Sequence, residues 1–389
     1  MQHQRIIAPL LPVAITLIAG IIVGRYLHVE AWITLTAMVF MIVASLFFFR
    51  FPKIQSLLIC LITAIIGFHL IQHPLPNIPV VQRAGKRMIE YRERLLQQYQ
   101  QEISPEAYEV VAAMTLGDKS ALSQQTKETF NATGASHILA ISGLHLGIIY
   151  MMVSLLIWGR RWRLVTQVLT LVLLWAFAFL VGLSPSVVRA AIMLTVYGLL
   201  SLGYRQKMSI NVLAFTAIIM LIVHPHALFE VGFQMSYLAV LSILLFYPLF
   251  FHLISDKWLM EHRFVRWVWG MCIVSFTAQL GVAPLIAFYF HRFSTYFLLS
   301  NFIVIPCAYL ILLGGFLLLL TSWSFVATIL SAVVSFMTLS LSFIASLPYA
   351  TIEGLYPTPL QVVLTYLLIF LSIYLVFRSI YTNFVVKYE

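Results

Sequence analysis

The chain has 389 residues, 62% of them hydrophobic and only 9% charged, with a formal net charge of +10. That balance excludes a soluble globular domain, which carries about 25% charged residues to cover its surface. The stretches 164–188 and 297–347 hold no charge at all. They are long enough for membrane helices and do not alternate as the strands of a barrel would, and only helices or closed barrels satisfy every backbone polar group in lipid.

Taken in chain order, hydropathy predicts an all-α polytopic membrane protein with about 12 transmembrane helices. The spans are 7–24, 32–49, 54–71, 137–158, 164–182, 187–203, 209–223, 231–251, 268–290, 297–320, 325–347 and 360–378. The run at 209–223 is short and is expected to tilt, to thin the bilayer or to re-enter. The first span follows a basic start without a small-residue cleavage site and reads as an uncleaved anchor. With the N-terminus in the cytoplasm beside Arg5, the inner loops carry Arg50, Lys53, Arg160, Arg161, Arg163, Arg205, Lys207, Lys257, Arg263 and Arg266. Arg378 and Lys387 lie in the C-terminal tail, and the short outer loops keep only Arg25 and Arg292. The positive-inside rule therefore puts both termini in the cytoplasm, with the inner membrane of a bacterium as the expected setting. Insertion accounts for most of the net charge, so the charge alone does not call for a nucleic-acid partner.

Three spans, in residues 1–72, precede a segment at 73–136 that is expected outside the membrane. Pro74, Pro76 and Pro79 break the chain, and 81–101 reads as an amphipathic helix with Met88, Leu95 and Tyr99 on one side. Such a helix either lies on the membrane surface or packs on the spans. A second helix is capped by Ser104, opened by Pro105 and ended by Gly117. A third, about 124–132, has Ser123 as its cap and Gly134 as its stop, and Ser136 is expected to cap the fourth span. Asp118, in LGDKSALS, is either a polar lip at the mouth of a path or a helix cap.

The region 137–389 carries the other candidate positions. The fourth span opens HILAISGLHLGII, with His137, Ser142 and His145. Histidine in a span is costly and faces a cavity or a partner. Three readings stay open. Ser142 and His145, one turn apart, form a nucleophile pair, which needs an orienting acid such as Asp118 or Glu230. His137 and His145, about 80° apart around one helix, form a metal site, although no third ligand is apparent. Or the group is a packing and hydrogen-bonding hub beside a polar path. Gly143 and Gly147 form a small-xxx-small pair expected to let a neighbouring helix approach. Arg189, about one turn inside the sixth span, is either an anion contact near a helix N-terminus or a snorkelling side chain. Gln234, Gln279 and Asn301 place an amide in each of the eighth, ninth and tenth spans, lining a path or holding the bundle together. Cys60, Cys272 and Cys307 form neither a disulfide framework nor a zinc site. No metal, cofactor or ATP-binding motif is recognised.

The ordered pieces LGDKSAL, Phe130, Gly134, HILAISGLH, GLSPSVVRAA, GFQMSY, AQLGVAPL and NFIVIP resemble the competence region of ComEC-type DNA-uptake proteins, over roughly 105–310. The resemblance implies a channel that takes single-stranded DNA into the cytoplasm during natural transformation, not an enzyme. Its path or gate would be drawn from Asp118, His137, Ser142, His145, Arg189, Gln234, Gln279 and Asn301. It also implies membrane lipid as a partner, together with a separate DNA receptor, a nuclease, a cytoplasmic helicase and a homodimeric state. Many members carry an outer OB-like domain and a C-terminal metallo-β-lactamase-like domain. The expectation here is the membrane core alone. The alternatives are an intramembrane hydrolase using Ser142 and His145, and a small-anion transporter.

Overall fold

The computed structural model describes residues 8–74, 79–156, 163–202 and 210–386. Arg5, Pro76, Arg160, Arg161, Arg205, Lys207 and Lys387 from the readings above lie outside the described residues. Helices α1 (Leu10–Tyr26), α2 (Ala31–Phe47) and α3 (Pro52–Gln72) come first. The connecting segment holds α4 (Pro79–Glu102), α5 (Pro105–Leu116), α6 (Gln124–Ala132) and α7 (Ser136–Leu139). Then follow α8 (Gly143–Leu156), α9 (Arg163–Leu180), α10 (Pro185–Leu202), α11 (Ile210–Val223), a 3-10 turn (Pro225–Phe229), α12 (Val231–Phe251) and α13 (Asp256–Glu261). The chain closes with α14 (Arg263–Phe290), α15 (Phe297–Thr321), α16 (Ser324–Ser346) and α17 (Pro359–Val386). A small departure from the all-α expectation is an antiparallel ribbon that pairs β1 (Arg292–Ser294) with β2 (Thr351–Glu353).

Five helices, α3, α12, α14, α15 and α16, are long and apolar enough to cross a membrane. Seven further apolar helices, α1, α2, α8, α9, α10, α11 and α17, are shorter over their described residues. Large apolar side chains stand bare on the outside: Phe47 is 79% exposed and Leu320 83%. Water does not tolerate such continuous apolar surface, and lipid does.

Helix crossings are set by small residues. Gly20 and Gly24 on α1 face the backbone of α3 at Ala64 and Phe68, and Gly67 on α3 returns the contact to the Leu17 carbonyl. This small-xxx-small seam brings the two backbones together without side chains between them. Gly281 does the same between α14 and α12, where a Cβ would stand 2.5 Å from the Leu238 carbonyl oxygen and 2.7 Å from the Ser242 Cβ.

The caps of the connecting segment form as the sequence predicts. Ser104 Oγ accepts from the Ala107 N–H, and Ser123 Oγ from the Thr126 N–H. Gly117 and Gly134 take the left-handed conformation that ends a helix without a Cβ clash. The Glu109 carboxylate adds a clamp between α5 and α6, accepting from the Ser123 N–H and the Thr126 hydroxyl.

The segment 73–136 packs against the spans of the bundle. Every residue of α5 from Val110 to Leu116 is 0% exposed, and α5 packs with α15 and α16 in the largest apolar cluster. Of the two readings of α4, packing holds: Leu96 and Tyr99 are buried, and Gln98 Nε2 donates to the Leu319 carbonyl and Ser322 Oγ at the C-terminal end of α15. Gly134 lies near the other end of that helix, where an added Cβ would stand 3.6 Å from the Phe297 Cβ.

The predicted fourth span is broken. It divides into the one-turn α7 and α8, with Ala140–Ser142 non-helical between them. Ser136 is the first residue of α7 rather than a cap, and Ala135 precedes it without a side-chain cap.

Candidate functional site

Packing brings six of the eight candidate residues, all but Asp118 and His137, onto one set of helices. α8 packs on α10, α10 on α12, α12 on α14, α14 on α15, and α15 back on α8. Five helices therefore close a ring, and each carries a candidate position: Ser142 and His145 at α8, Arg189 on α10, Gln234 on α12, Gln279 on α14 and Asn301 on α15.

Ser142 is the residue before α8 and His145 is its third residue. The Ser142 N–H and hydroxyl both lie against His145 Nδ1, at 3.3 and 3.1 Å. This is the logic of a capping box, in which the third residue of the helix reaches back to the N–H of the cap. A backbone N–H can only donate, so Nδ1 is the acceptor and the proton of the neutral ring sits on Nε2. His145 is 0% exposed and Nε2 has no hydrogen-bond partner among the described residues.

His137 sits on α7, a separate helix from His145, so the angular argument that treated the two as one helix face does not apply. Its Nδ1 donates to the Gly134 carbonyl at 3.1 Å. The two imidazoles are electrostatic neighbours, but no third His, Cys, Asp or Glu joins them among the described residues. The expected close approach at Gly143 and Gly147 is also absent. Among the described residues a Cβ on Gly143 would meet the Ala190 Cβ, at an ordinary 3.7 Å, and one on Gly147 would meet nothing within 4 Å.

Arg189 does not reach along α10 toward an interface. It is 3% exposed and turned to α12, where Nη2 donates to the Gly232 carbonyl at 2.9 Å. Its Nε is buried without a partner. Glycine at 232 leaves room for the guanidinium, since a Cβ there would stand 3.3 Å from Nη2. Tyr237, which sequence reasoning did not single out, is an electrostatic neighbour of Arg189, and its buried hydroxyl lies against Thr216. A tyrosine inside an apolar span was the available signal.

The amides divide. Gln234 is engaged at both ends of its amide: Nε2 donates to the Leu228 carbonyl at 3.0 Å and Oε1 accepts from the Tyr289 hydroxyl at 2.8 Å. It ties the 3-10 turn, α12 and α14 together. Gln279 lines a cavity of about 330 Å³ between α14, α15 and α17, with Phe276, Phe293 and Phe297 among its apolar walls. Asn301 Oδ1 is buried and unpartnered. Asp118 forms a local cap, its two oxygens accepting from the N–H and hydroxyl of Ser120, both at 3.0 Å.

The model of the family described as "Competence protein" matches residues 114–379. The chain belongs to the competence protein family. That stretch contains all five ring helices and every candidate residue. Among similar proteins, ComE operon protein 3 of Bacillus subtilis is 31% identical over 218 residues, 55% of this chain and 26% of that protein. An uncharacterized protein of Aquifex aeolicus is 34% identical over 199 residues, 50% of this chain and 44% of that protein. The uncharacterized protein YcaI of Escherichia coli is 24% identical over 211 residues, 52% of this chain and 27% of that protein. The chain thus spans less than half the length of the curated relatives it matches. No solved structure matches it.

Proposed function

We propose that the chain is a channel of the bacterial inner membrane that admits single-stranded DNA to the cytoplasm during natural transformation. In this reading about twelve helices cross the bilayer, both termini are cytoplasmic, and the five-helix ring surrounds the path. A separate DNA receptor, nuclease and cytoplasmic helicase act with it. The chain is a conduit and not an enzyme.

The observation that carries the reading is the ring itself, with buried donors at His145 Nε2 and Arg189 Nε that have no partner among the described residues. A helix bundle that only had to stay folded would satisfy such groups or replace them with apolar side chains. A bundle that lets a polyanion pass needs donors that remain free for it. Membership of the competence family supports the same conclusion. The test is a clean deletion in a naturally transformable host. DNA is expected to stay bound at the surface while none enters the cytoplasm, and normal transformation in the deletion would end the proposal.

The Ser142–His145 hydrogen bond favours one second reading, an intramembrane hydrolase. It ranks below the channel because Nδ1 faces the serine while Nε2 meets no carboxylate among the described residues, so no acid orients the ring. A hydrolytic activity of the purified chain that Ser142→Ala abolishes would reverse that order.

A further inference from the structure

The joint between α10 and α12 holds an arginine that its surroundings under-satisfy. A guanidinium carries five N–H donors in a planar fork. Among the described residues Arg189 makes one bond, to the Gly232 carbonyl, and its buried Nε has no partner. The acid among its electrostatic neighbours is Glu230, whose carboxylate instead lies 3.4 Å from His224 Nε2. A buried charge with so little compensation is costly.

The arginine is aimed at the first turn of α12, a 21-residue helix whose N-cap, Glu230, makes no side-chain cap. The first amides of a helix have no acceptor within it, so those of Val231 and Gly232 remain available, at the positive end of the helix dipole. The Tyr237 hydroxyl, in contact with Thr216, adds a third donor one turn further along the helix, which an anion would take over from Thr216.

We propose that Arg189, the first turn of α12 and Tyr237 form a binding site for one phosphate-type oxyanion, which takes the guanidinium over from the Gly232 carbonyl. A tetrahedral oxyanion presents oxygens in several directions at once. It can meet the arginine fork, the backbone amides and the phenol together, where a planar carboxylate meets fewer. Gly232 is needed because a side chain there would fill the space between the guanidinium and the helix end. The oxyanion chemistry follows from the joint alone. Its assignment to the backbone of a nucleic acid rests on the channel reading, and a phospholipid headgroup or free phosphate offers the same chemistry.

The experiment uses the full chain in nanodiscs of zwitterionic lipid. The probes are a fluorescent oligothymidylate, the same oligomer with an uncharged methylphosphonate backbone, and inorganic phosphate as competitor. Arg189→Lys keeps the charge and loses the fork; Tyr237→Phe removes only a hydroxyl and keeps the ring beside Phe233. Helical content by circular dichroism verifies that both variants are folded. The charged oligomer is expected to bind and to be displaced by phosphate, with the uncharged one at least about tenfold weaker. Arg189→Lys is expected to weaken the charged oligomer about tenfold and Tyr237→Phe about fivefold, the losses of charged and neutral hydrogen bonds. Tyr237→Phe decides alone if Arg189→Lys does not fold. Variants that bind oligomer and phosphate as the wild type does would overturn the site. Arg189-dependent binding of phosphate without binding of the oligomer would support the site and count against the channel reading. Nanodiscs of phosphatidylglycerol that suppress oligomer binding in the wild type but not in Arg189→Lys would support the site and name the headgroup as its source.

Discussion

His145 Nδ1 faces both the N–H and the hydroxyl of Ser142, and this leaves Nε2 as a buried donor with nothing to donate to. The backbone half of that contact survives loss of the hydroxyl. Ser142→Ala is therefore expected to cost less than about 1 kcal/mol of stability, whereas His145→Leu removes the reciprocal cap and costs about 1 kcal/mol or more. Thermal unfolding of both variants in detergent checks the order. In the channel reading, Ser142→Ala leaves DNA uptake near the wild-type level.

Gln234→Leu keeps the shape of the side chain but leaves the Leu228 carbonyl and the Tyr289 hydroxyl unpaired in the bundle. A loss of about 1–3 kcal/mol is expected. Tyr289→Phe in the same background should restore part of it, because it removes one of the two stranded groups. A double-mutant cycle on unfolding midpoints measures the coupling. Strict additivity would mean that the 2.8 Å bond contributes nothing.

Gly281→Val forces a branched side chain between α14 and the Leu238 carbonyl. Overpacking of this kind costs about 1–3 kcal/mol where neighbours can shift, and more where they are backbone. The expected result is a sharp fall in folded protein recovered from membranes. Gly182→Ala is a useful contrast, since its space is open and only its positive φ resists.

Gly147→Ala should be tolerated structurally, because a Cβ there meets nothing within 4 Å. If the open space beside it belongs to the path, larger residues narrow that path without unfolding the bundle. Gly147→Leu is then expected to fold, by circular dichroism, and to lower DNA uptake. A folded Gly147→Leu with unchanged uptake would place that space outside the path.

Much of this architecture was readable from the amino acids. Ser104, Gly117, Ser123 and Gly134 act where local cap chemistry put them, since caps depend on one or two residues and their own backbone. The apolar runs became helices at nearly the stated bounds. The break at Ala140–Ser142 was not readable, because hydropathy averages over about five turns and a one-turn helix disappears inside that window. The burial of α5 was missed for a related reason: PEAYEVVAAMTL is too short to announce a span, and only its neighbours α15 and α16 make it core. At the site, the residue types in the spans marked out the polar positions. They did not separate Gln234, which is bonded at both ends of its amide, from Asn301, whose Oδ1 has no partner, because that difference lies in what stands opposite each side chain.

The ribbon of β1 and β2 has a mechanical consequence. Its pairing, with Thr295 Oγ1 bonded to the Tyr349 carbonyl and Thr351 Oγ1 to that of Ala132, rivets the α14–α15 corner to the α16–α17 corner and to the end of α6. These parts are therefore tied to one another, so a displacement of one corner is passed to the other and to the end of α6.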